Sequence, residues 1–157
     1  NMVGRAALGA KDFATAEQAF RKVLAIQSDQ CWAMTNLGKT YNAQQKWADA
    51  EGVLKDATQC DPRSAAAFET LGFSQQKQKK LEDALVTYEQ AYKIKPSDSI
   101  MSAMNVCREN IEIRDHNQAM DEAAAAQRAA EEAEAKRLAE AAARQAEWEK
   151  KQRQRDD

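Results

Sequence analysis

CWAMTNLGKTYNAQQKWADAEGVLKDATQCDPRS, residues 31–64, decides the fold when it is laid over AAAFETLGFSQQKQKKLEDALVTYEQAYKIKPSD, residues 65–98. The two stretches align without a gap at a step of 34 residues. Leu37 falls on Leu71, Gly38 on Gly72, Ala50 on Ala84, Leu54 on Tyr88, Cys60 on Ile94 and Pro62 on Pro96. The same step taken backwards meets Val3, Gly4, Ala16, Phe20, Ile26 and Ser28. Small and large slots that agree together across three copies at this period specify stacked helix–turn–helix pairs. Gly38 and Gly72 stand inside helical stretches, where glycine costs roughly 1 kcal/mol against alanine. That loss is explained if a second helix approaches closely there, with Ala50 and Ala84 as its small contact residues. Pro62 and Pro96 stop the second helix of each pair.

This pattern resembles the tetratricopeptide-repeat family over residues 1–98. The resemblance implies an all-α solenoid of antiparallel helix pairs with a concave groove lined by the first helix of each pair. The expected organisation is a truncated first repeat at 1–30, a second at 31–64 and a third at 65–98. A capping helix follows at 99–118 and a charged helical tail at 119–157. The register places Asn1 inside a repeat, so further repeat sequence is expected upstream. The capping helix carries Ile100, Met101, Met104, Cys107 and Ile111 on one face. It departs from the repeat, with Asn105 in the leucine slot and Val106 in the glycine slot. Phe20, Tyr41, Trp47 and Tyr88 read as core residues.

The family likeness places a partner-binding groove on Arg5, Trp32, Asn36, Lys39, Glu69, Thr70 and Phe73. Trp32 and Phe73 are large apolar residues at positions the repeat core does not need, and Asn36 offers both a donor and an acceptor. Arg5 and Lys39 add positive charge. Such a groove suits a short linear peptide or a partner helix with one or two apolar anchors. Trp32 has a second reading, as packing between neighbouring repeats. Members of the family that hold heat-shock chaperone tails use a clamp of Lys, Asn and Arg. Of the clamp positions, only Asn36 matches, while Arg5, Thr35, Lys39, Ala66, Thr70, Ile100 and Met104 depart. This mismatch argues against chaperone tails as partners.

From Ala119 the chain is Ala, Glu, Arg, Lys and Gln without glycine or proline. These are strong helix formers, supported by pairs such as Glu140–Arg144 and Glu147–Lys151 at the acid-before-base spacing. Ala123, Ala126 and Ala130 belong to an alanine seam, and Leu138 and Trp148 are the large apolar residues beyond it. That seam permits a helix–helix contact, either with a partner or by self-association. A solvated single helix held by its charge pairs is the other reading. The segment from Ile100 to Arg155 reads as one nearly continuous helix, with room for a bend near Arg114–Asn117.

The formal net charge of −2 supplies no global field toward nucleic acid or an anionic membrane. No apolar run approaches the roughly 18–20 residues of a membrane span. His116 is the sole histidine and sits among polar residues. No phosphate loop, metal-ligand spacing or nucleophile motif is present, so the sequence points to no catalytic residue, no metal, no cofactor and no small-molecule substrate. Cys31, Cys60 and Cys107 match no zinc or redox motif. That favours the cytoplasm or another reducing compartment, with Cys60 as a small apolar residue of the core. The functional expectation is a non-catalytic scaffold or adaptor, its tail a second contact. The alternative is a structural or assembly subunit held by its outer surface and long helix.

Overall fold

The computed structural model describes residues 2–156 and is helical throughout, apart from short turns. Asn1, one of the clamp positions, and Asp157 lie outside the described residues. The helices are α1 (Met2–Gly9), α2 (Phe13–Ile26), α3 (Cys31–Ala43), α4 (Trp47–Cys60), α5 (Ala65–Lys77), α6 (Leu81–Ile94) and α7 (Asp98–Asp156). Each helix packs on the next from α1 to α6, and α3 also touches α5. That extra contact lays the first helices of successive repeats side by side.

The turn inside each pair is built the same way. Lys11, Gln45 and Lys79, again 34 apart, hold positive φ of 61°, 60° and 61°. Two residues close each turn, one on either side of the bend. Asp12 N–H donates to Ala7 O, Lys46 N–H to Tyr41 O and Lys80 N–H to Gln75 O, at 2.8–3.0 Å. This is the helix-ending motif that glycine usually serves. Here non-glycine residues accept the left-handed backbone because the first helix must stop and reverse at that point. Helix starts are less uniform. Asp12 caps α2 through Thr15 N–H and Ser64 caps α5 through Ala67 N–H, whereas α3, α4 and α6 have no side-chain cap.

The glycines do what their cost implied. A Cβ on Gly38 would lie 2.6 and 2.8 Å from the Leu54 methyl carbons, and one on Gly72 would lie 2.9 Å from the Tyr88 ring. The core follows those contacts. Ala16, Phe20, Leu37, Tyr41, Ala50, Leu54 and Leu71 form one cluster. Ala84, Tyr88, Ala91, Ile100, Met104 and Cys107 form a second, in which the first turns of α7 close the third repeat. One sequence expectation fails here. The slot of Ile26, Cys60 and Ile94 is not core: Ile26 is 83% exposed, and Cys60 and Ile94 are exposed too. It lies at the last residue of the second helix, beyond the reach of the next pair. Cys60 is instead joined to Cys31 in a disulfide, with Cα atoms 5.5 Å apart. The reading of free thiols, and the reducing compartment drawn from it, loses its support; only Cys107 is a free, buried thiol.

A polar ladder also repeats at the same period. Gln44 Nε2 donates to Phe13 O and to Glu17, and Lys46 pairs with Glu17 at 3.5 Å. One repeat later Gln78 Nε2 donates to Trp47 O and to Glu51, and Lys80 pairs with Glu51 at 2.6 Å. Burial opposes the charge on Glu51. Hydrogen bonds from Lys55, Lys80 and Gln78 outweigh it and hold the carboxyl down at about 2. In the third repeat Leu85 occupies the acceptor slot and packs against the second core cluster.

The chain divides into two units, Asn1–Glu112 and Ile113–Asp157. In the second unit α7 runs unbroken, including through Arg114–Asn117, and its side chains are exposed at nearly every described position. Among the described residues, no helix is long and apolar enough to cross a membrane.

Candidate functional site

The first helices present their outer stripe to a concavity within the first unit. Two hollows occupy it. The larger, about 760 Å³, is lined by Lys39, Asn42 and Ala43 of α3, by Ala66, Glu69, Thr70, Phe73 and Gln76 of α5, and by Ser99, Ser102, Ala103 and Val106 of α7, with Tyr88 at its floor. The smaller, about 350 Å³, is lined by Arg5, Trp32, Thr35, Asn36, Lys39, Ser64 and Ala66. Lys39 and Ala66 border both. The seven groove residues expected from the sequence therefore divide, with Arg5, Trp32 and Asn36 in the small hollow and Glu69, Thr70 and Phe73 in the large one.

Several of these side chains are already engaged. Trp32, 40% exposed, sets its ring edge against Phe20 at 6.3 Å and donates Nε1–H to Gln30 at 2.8 Å. Trp32 thus packs on the first repeat and also borders the small hollow. The Asn36 amide donates to Trp32 O at 2.8 Å. Phe73, 39% exposed, leans edge-on against Trp47 at 5.9 Å, and the Lys77 ammonium lies 5.2 Å from its ring centre. Glu69 accepts from Ser99, and Thr70 donates to Ala66 O within its own helix. Beneath the wall Asn42 donates to Thr70 O, and the buried Ser74 donates to Asn42 Oδ1 at 2.8 Å. Arg5 and Lys39 are both exposed, so the small hollow carries two cations at its border and no carboxylate in its lining.

Sequence reasoning missed the part of the wall given by Ala43, Ser99, Ser102 and Val106. The signal for Val106 was present. It stands in the glycine slot of a helix with no returning partner, so its side chain meets open space rather than an opposing helix. Its 40% exposure follows. The tail residues Ala123, Ala126, Ala130, Leu138 and Trp148 are all exposed on α7 in the second unit.

The arrangement offers shape, hydrogen bonds and charge. Among the described residues, no group of three or more His, Cys, Asp or Glu could hold a metal ion. A family described as tetratricopeptide repeat matches residues 7–71. No curated protein matches the sequence. Solved structures do. The Sgt2 TPR domain from Aspergillus fumigatus superposes with a TM-score of 0.70 at 22% identity, covering 72% of this chain and 77% of its own. The first TPR of Spaghetti (RPAP3), bound to the HSP90 peptide SRMEEVD, gives 0.68 at 18% identity, covering 69% and 87%. The second TPR domain of human RPAP3, in complex with the HSP70 peptide SGPTIEEVD, gives 0.64 at 18% identity, covering 67% and 88%. The argument against heat-shock chaperone tails is corrected by these two complexes. Domains of the same fold hold such tails, so the mismatches at the clamp positions are no ground for excluding them.

Proposed function

Because residues 7–71 match the tetratricopeptide-repeat family, we propose that this chain is a non-catalytic interaction scaffold whose concave groove receives a peptide or a helix of a partner protein. The observation that carries the reading is the 760 Å³ hollow between α3, α5 and the start of α7. Its walls combine an apolar surface (Phe73, Ala66, Ala103, Val106) with backbone-reading polar groups, and Phe73, Ala66 and Val106 belong to neither core cluster. Concave, mostly apolar surfaces with a few convergent polar groups are where ligands bind. Lys39, between the two hollows, gives the occupant a direction: an acidic group belongs near Lys39 and Arg5, and an apolar anchor belongs beside Phe73.

The test is fluorescence polarisation against labelled peptides that pair an acidic end with an apolar residue. SRMEEVD and SGPTIEEVD, which the RPAP3 domains hold, are the first probes. Lys39→Glu and Val106→Arg are both at exposed positions, and each should weaken binding at least tenfold without changing helicity. A peptide bound equally by wild type and both variants would place its site elsewhere.

A second reading is favoured by the exposed α7 beyond Glu112. In it the chain is a structural subunit of a larger assembly, tethered by that helix. Deleting residues 119–157 should then release the chain from its complex; retention after the deletion counts against it.

A further inference from the structure

We propose that the Cys31–Cys60 disulfide is a thiol-sensitive clasp that fixes the Trp32 end of the groove. Cys31 is the first residue of α3 and Cys60 the last of α4, so the bond ties together the open ends of one helix pair. No other pair has it: Ala65 and Ile94 hold these positions in the third repeat. The start of α3 has little else to secure it. Its N-cap, Gln30, makes no side-chain cap bond, and its first turn contains no acidic residue. α5, the equivalent helix one repeat on, is capped by Ser64. Backbone bonds alone hold that turn, Cys31 N–H to Asp29 O and the Ala33 and Met34 N–H groups to Gln30 O, and the disulfide adds a covalent tie that a side-chain cap does not supply here.

Accessibility separates this bond from the remaining thiol. Cys60 is exposed and Cys31 partly so, while Cys107 is fully buried. Two equivalents of a small thiol reductant, RSH, break the S–S bond, yielding two cysteine thiols and one RSSR. The reverse step consumes RSSR and restores the bond. Loosening the first turn of α3 reaches the groove directly. Gln30 and Trp32 flank Cys31 and are bonded to each other, and Asn36 is bonded to Trp32 O. Reduction therefore loosens the turn from which Trp32 reaches Phe20. The consequence for peptide capture rests on the groove reading, but the clasp itself is tested without a peptide.

The experiment uses the full chain, purified without reductant, with thiols counted by alkylation and backbone exchange followed by hydrogen–deuterium mass spectrometry. The folded chain should present no reactive thiol. After dithiothreitol it should present two, and Cys107 should react only on unfolding. In the reduced protein and in Cys31→Ser/Cys60→Ser alike, the Thr35–Leu37 amides should exchange at least tenfold faster, with Gly72–Gln75 within twofold of the oxidised protein. Reactive thiols before reduction, unchanged exchange at Thr35–Leu37, or equal acceleration through α5 would each overturn the proposal. Failure of every peptide to bind while these results hold would sink the groove reading and leave the clasp standing.

Discussion

Two glycine-to-alanine substitutions, one repeat-helix apart, separate the cost of close packing from the benefit of helix propensity. Gly38 and Gly52 both lie inside helices, α3 and α4. Alanine at either position gains about 0.8–1 kcal/mol of intrinsic helix stability. At Gly52 nothing lies within 4 Å of the added methyl, so Gly52→Ala should stabilise by about that amount. At Gly38 the methyl would meet three carbons of Leu54, two of them at 2.6 and 2.8 Å. Leu54 is fully buried, so a shift of its side chain must displace neighbours in a packed core. Overpacking costs about 1–3 kcal/mol, and three contacts this short place Gly38 in the upper part of that range, about 2–3 kcal/mol, so Gly38→Ala should be net destabilising by about 1–2 kcal/mol. The propensity gain is common to both variants, and their difference, about 2–3 kcal/mol, is the packing cost alone. Urea unfolding followed by circular dichroism gives both values against wild type. A Gly38→Ala protein as stable as Gly52→Ala would refute the account of helix approach at the glycine slot.

Glu51→Gln keeps the shape of the ladder but removes the charge that Lys80 and Lys55 face; urea unfolding at pH 7 should show a loss of about 1–3 kcal/mol. The folded Glu51 pKa is depressed from 4.5 to about 2, so its contribution is present above about pH 4.5 and fades as the pH falls toward 2. A stability–pH curve should show that fall in wild type and flatten in Glu51→Gln. Gln45→Gly relieves a non-glycine residue at φ 60° and should stabilise by about 1 kcal/mol, seen as a raised urea midpoint. Ser64→Ala removes the cap on Ala67 N–H and should cost about 1 kcal/mol in the same assay.

The repeat, its helix boundaries and its glycine contacts were legible because periodicity reports on them three times over. Leu37, Gly38, Ala50 and Leu54 each have a counterpart 34 residues away, and agreement among copies filters out chance. Features without a counterpart were not legible. The Cys31–Cys60 bond occurs in one repeat only, and a slot filled by isoleucine in its neighbours read as core when it is exposed. The hollows were half legible. The family resemblance named the α3 and α5 residues that line them, but how far Trp32 and Asn36 are committed to local bonds depends on rotamers. The α7 wall depends on where that helix stops behaving as a repeat. The polar ladder had a full signal in Glu17/Glu51, Gln44/Gln78 and Lys46/Lys80, each pair 34 apart; the apolar register alone does not bring it out.

That ladder also acts as a join code. The middle repeat carries both halves of it, the Gln44 and Lys46 donors toward the repeat before and the Glu51 acceptor toward the repeat after. A duplicate of residues 31–64 inserted in tandem would meet matching chemistry on both sides. A duplicate of residues 65–98 would set a second Gln78 and Lys80 against Leu85, which offers no carboxylate to either. The array can thus be lengthened by copying its middle module and not its last, so the third repeat is marked as a terminus by one side chain.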